Sequence, residues 1–210
     1  MKKTTHLIVL AMAAAIALAG IAGARPAAAD LKSVADVKSD MRKLWEDHIT
    51  YTRNYIISAL AGLPDTDTIA NRLFRNQDEI GTAIKPYYGD AAGNKLAALL
   101  KDHISIAAEV VKAAKAGNND QLAEQQKKWG ANADDIAKFL SGANSNWKEA
   151  DLKNMLHRHL DLTTAEVTSR LKKDWVADEK AYDDGHVHML MFSDALTEGI
   201  AKQYPDKFAK

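Results

Sequence analysis

Three histidines, each set in the apolar stripe of a helix-periodic segment, constrain this chain more than any other feature. His48 lies in Leu44-Trp45-Glu46-Asp47-His48-Ile49-Thr50, His103 in Leu99-Leu100-Lys101-Asp102-His103-Ile104-Ser105, and His159 in Met155-Leu156-His157-Arg158-His159-Leu160-Asp161. The intervals are 55 and 56 residues. Such near-equal spacing predicts one helical hairpin repeated three times. A titratable residue that recurs at one depth of a helical core is either a polar layer that fixes register or a binding site.

The apolar periodicity predicts six helices, roughly 33–61, 66–84, 90–116, 119–141, 147–172 and 174–203. Gly62-Leu63-Pro64-Asp65 and Gly117-Asn118-Asn119 read as stops followed by N-caps. Asn146-Trp147-Lys148-Glu149 has capping-box spacing. No β-branched alternation is bounded by turn pairs, so strands are not expected. The prediction is an all-α, up-and-down bundle of about six helices built as three pseudo-repeated hairpins. Lys85-Pro86-Tyr87-Tyr88-Gly89-Asp90 is read as an aromatic loop that packs over one bundle end.

Within that bundle each histidine falls on an inward stripe: Met41, Leu44, Trp45, His48, Thr52; then Leu96, Leu99, His103, Ile106, Val110; then Leu152, Met155, His159, Leu162, Glu166. Residues equidistant from a turn lie level in an antiparallel pair. That count places His48 near Asn76, His103 near Asn132 and His159 near His186. His–Asn pairs can satisfy one another, with Thr52 and Thr163 available for the remaining bonds. His157 is expected on the flank of its helix.

The sequence allows two readings of the layer and favours the first. In the first, His48, His103, His159 and His186 ligate a transition metal, zinc or copper, with Asn76, Asn132, Glu166 and Asp183 as further ligands or supporting groups. Haem or a small organic molecule is the less favoured ligand. In the second, the layer only fixes register in a structural or interaction module. A metal-dependent enzyme is third, because no nucleophile–base pair, phosphate loop or H-E-x-x-H motif is present. Copper at His186-Val187-His188-Met189-Leu190-Met191 is disfavoured, because residues two apart do not share a helix face.

Composition narrows the setting. Met1–Ala29 reads as a cleaved secretory signal, with Lys2 and Lys3, an apolar centre from Leu7 to Ile21, and Ala27-Ala28-Ala29 before the cut. The expected mature chain, residues 30–210, is one domain, periplasmic or secreted, with no permanent membrane span. The absence of cysteine excludes disulfides and thiolate metal ligands. Lys plus Arg and Asp plus Glu both number 28. Removing Lys2, Lys3 and Arg25 with the leader leaves a net charge of −3. That balance argues against nucleic acid or an anionic membrane surface as the obvious partner.

The motifs Leu44-Trp45-Glu46-Asp47-His48, Arg72-Leu73-Phe74-Arg75-Asn76-Gln77, Trp129-x-x-Asn132-Ala133-Asp134 and His159-Leu160-x-Leu162-Thr163 resemble a family of small bacterial all-helical proteins. Those proteins often carry the labels glycosyltransferase or acetylglutamate kinase. The resemblance implies a shared fold and shared roles for His48, His103, His159, Asn76 and Asn132. It implies no activity, since either label needs a sugar-nucleotide or ATP site. The His186–Met191 stretch lies outside the family pattern.

Overall fold

The computed structural model describes residues 31–209, so the leader expected over residues 1–29 lies outside the described residues. All regular structure among the described residues is helical: α1 (Val34–Ala61), α2 (Thr66–Ala116), α3 (Asn119–Ala143), α4 (Glu149–Leu171) and α5 (Trp175–Gln203), then a 3-10 turn at Pro205–Lys207. Each helix packs on its neighbours in chain order, and α5 returns to α1, closing a ring around one core.

Local chemistry sets the ends. Ser33 and Asp36 form a reciprocal capping box at the start of α1. Gly62 (φ 69°) and Gly117 (φ 66°) take the left-handed conformation that stops α1 and α2. Side chains of Asn118 and Asp174 cap the starts of α3 and α5.

Five helices are present where the sequence predicts six. The expected loop at Lys85–Asp90 is helical, Pro86 included, and only Gly89 (φ 82°, ψ 169°) leaves helical geometry. Proline already has a helix-compatible φ, and it falls in the last turn before the break. A Cβ at Gly81 would lie 2.5 Å from the carbonyl oxygen of Gly93, and one at Gly93 equally close to that of Gly81. The two arms of α2 therefore meet backbone to backbone, folded back at Gly89.

The main core gathers Trp45, Ile80, Leu96, Leu100, Trp129, Ile136, Leu156, Met189, Phe192 and Leu196. Trp45 meets Phe192 edge-to-face at 5.1 Å. A second small cluster, Ile56, Val111 and Val167, lies toward the end where α1 and α4 finish. These three residues stand eight positions after His48, His103 and His159, two turns along each helix.

Candidate functional site: a buried imidazole layer

The three histidines, from α1, α2 and α4, meet in the interior. Their exposures are 2%, 3% and 3%. The His159 ring lies 5.7 Å from that of His48 and 6.1 Å from that of His103. Trp45 abuts His48 at 5.6 Å and Trp129 abuts His103 at 5.2 Å. Residues one turn on (Thr52, Ala107, Thr163) and the Ile56, Val111, Val167 cluster line a cavity of about 30 Å³, the size of one water.

His103 is saturated. Its Nδ1 lies 2.7 Å from Asn132 Oδ1, while Asn132 Nδ2 donates to Leu99 O at 3.1 Å. With the Asn amide so oriented, Nδ1 carries the proton and donates. Nε2 is then an acceptor, and the Trp129 indole Nε1–H donates to it at 3.0 Å. His48 leans instead on a residue the sequence did not single out: Gln77 Nε2 stands 3.4 Å from its Nδ1. Asn76, fully buried, donates to Leu44 O at 2.9 Å and accepts from Gln77 Nε2 at 3.1 Å. His159 Nδ1 is buried without a partner, and so are Gln77 Oε1, Thr52 Oγ1 and Trp45 Nε1.

Electrostatics keep the layer neutral. Burial pushes His48 down to about 3, and the neighbouring His103 adds to the shift. Burial likewise lowers His103 to about 4, against the pull of its bond to Asn132. His159 falls well below its ordinary value through burial and through His48, His103 and His188.

His186 does not join the layer. It is part-exposed, stacks on Tyr182 at 6.1 Å and points its Nε2 at Glu46 Oε1, 3.5 Å away. Its neighbour His188 takes the inner position, donating from Nε2 to Met155 O at 2.7 Å. The reason lies in α5, where small residues Ala181 and Gly185 turn inward and let the helix approach Leu162. Tyr182 and His186 are thereby rotated to the flank. Asp183 is exposed. His157 is exposed as expected, paired with Asp134 at 2.9 Å.

Glu166 is buried two turns beyond His159 and belongs to a different constellation. Arg53 donates to Glu166 at 2.9 Å, to Asp178 Oδ2 at 3.1 Å and to Glu179 at 2.8 Å. Arg170 reaches the same Asp178 at 2.7 Å. Although burial opposes its charge, the Asp178 and Glu166 carboxylates hold the Arg53 guanidinium above its ordinary value. Burial raises Glu166 to about 6 against the pull of Arg53.

Among the described residues, no three His, Asp or Glu side chains are grouped so as to hold a metal ion. No protein-family model, curated protein or solved structure matches this chain.

Proposed function

We propose that this protein is an extracytoplasmic structural or interaction module whose imidazole–amide layer sets the pairing of its helices. One observation carries the reading: both ring nitrogens of His103 are engaged by Asn132 and Trp129. A donor and an acceptor that are both satisfied internally specify register and leave no lone pair for a ligand. The same reading takes the bundle as three repeats of one hairpin. Asn76, Asn132 and His188 each donate to the carbonyl four residues before a layer histidine, at Leu44, Leu99 and Met155. Residues 1–29 act as a secretory leader in this proposal, and N-terminal sequencing of exported protein is expected to begin near Asp30. An intact Met1 on exported protein overturns the leader.

Transition-metal binding is the second reading, supported by the unpartnered Nδ1 of His159 between two further imidazoles. Three imidazoles around zinc, with Zn–N of about 2.0–2.1 Å, place ring centres roughly 5–5.5 Å apart, slightly closer than those here. Coordination by His103 would cost it Trp129 or Asn132. A haem or drug-sized ligand fits less well, since such pockets take roughly 300 Å³ or more and the cavity beside the layer holds about 30 Å³.

Thermal melting of untagged protein separates the two readings. If the layer is structural, added zinc or copper leaves the melting temperature unchanged at pH 7.5. His103→Ala then costs roughly 2–4 kcal/mol through the lost bonds and the hole it leaves. His157→Ala, on the surface, changes stability by about 0.5 kcal/mol or less. A metal-dependent rise in melting temperature that vanishes in His48→Ala, His103→Ala and His159→Ala gives the site to a metal instead.

A further inference from the structure

The turn between α4 and α5 presents a continuous exposed stretch from Leu171 to Val176. Leu171 is 40% exposed, Trp175 54% and Val176 83%. These are among the most exposed large apolar side chains described, and three of them share one tip. Lys172 and Lys173 sit between them, and Lys173 has a φ of 60°, so the turn is tight. The nearby carboxylates are committed elsewhere. Asp178 is buried with Arg53 and Arg170, Asp174 accepts from Ala177 N at 3.1 Å, and Glu179 pairs with Arg53. Arg170 braces Trp175 from below, its guanidinium 5.5 Å from the ring centre.

We infer that this α4–α5 tip docks the protein onto an anionic lipid bilayer. Indole settles at the boundary between headgroups and acyl chains. Val176 and Leu171 can enter the acyl edge beside it, while the lysine stems lie along that apolar surface and their ammonium groups reach lipid phosphates. A convex tip of three apolar side chains inserts into a fluid interface without a matching cavity, which a protein partner would have to supply. No described helix is long and apolar enough to cross a membrane, so this attachment is peripheral. With Lys plus Arg and Asp plus Glu both numbering 28, the attraction is local to the tip.

The test uses the whole exported chain with vesicles of phosphatidylcholine alone or mixed with phosphatidylglycerol. Trp45, Trp129 and Trp147 are 3%, 3% and 6% exposed, so a change in tryptophan emission reports on Trp175. Anionic vesicles are expected to pull the protein down and shift its emission to the blue. Neutral vesicles should do neither. Lys172→Gln with Lys173→Gln should lower partitioning roughly thirtyfold, from about 1 kcal/mol per lysine near an anionic surface. Val176→Asp should abolish the blue shift while leaving the melting temperature unchanged, since the side chain touches little. Three results overturn the proposal: no partitioning at low ionic strength, equal partitioning of all variants, or binding to polyglutamate in place of vesicles.

Discussion

Acidification from pH 7.5 to 4.5 is expected to unfold this protein, or nearly so, through the three interior histidines alone. In the folded chain they stay neutral, His48 down to about 3 and His103 to about 4. In the unfolded chain they take up protons near the ordinary value of about 6.5. The unfolded state therefore binds more protons throughout that window, and stability falls as pH falls. Each histidine contributes about 1.4 kcal/mol per pH unit, so three give about 4 kcal/mol per unit well below 6.5. Glu166 works the other way. Its folded value of about 6 exceeds that of a free carboxylate, and as pH drops from 6 to 4.5 it returns about 2 kcal/mol. The net loss at pH 4.5 is about 6 kcal/mol, comparable to the whole stability of an ordinary domain. Urea midpoints measured from pH 7.5 downward should show a slope approaching two protons, the three taken up by the unfolded histidines less the one that folded Glu166 binds. Equal stability at pH 7.5 and pH 5 would mean that the histidines are not held neutral in the interior.

Replacing Asp178 by alanine should be among the most damaging single changes in the chain. Asp178 is 1% exposed and receives both Arg53 and Arg170. Its removal takes the carboxylate from Arg170 and leaves Arg53 with only Glu166 and Glu179 beside a core, an effect of roughly 3–5 kcal/mol. For a domain of this size that lowers the melting temperature by roughly 10–15 °C. Glu179 supplies the control, because it binds the same Arg53 at 2.8 Å with its side chain 68% exposed. Glu179→Ala should cost about 0.5 kcal/mol or less, since solvent screens an exposed pair. Matching losses for the two variants would show that burial does not govern this network.

The helical character and the inward turn of His48, His103 and His159 were legible because both depend on periods of three and four residues within one helix. The His103–Asn132 pair was legible as well, since level positions in a hairpin follow from counting outward from a well-marked turn. In the third hairpin the same count missed by two residues. Alanine and glycine at 181 and 185 let α5 come close, and His188 took the place expected of His186. Gln77 and Trp129 escaped notice as partners because nothing local distinguishes a polar residue that bonds across the core from one that faces water.

Sequence alone determined the class of fold, the depth of three histidines and most helix ends, all set by neighbours within a turn or two of the chain. Tertiary structure decided that α2 continues through Pro86 and folds back at Gly89, because only the contact of Gly81 with Gly93 shows how the two arms lie. It also decided that Arg53 is a buried hub. Its partners Glu166 and Asp178 stand 113 and 125 residues away, and a charge is tolerated inside only where packing delivers its counter-charges.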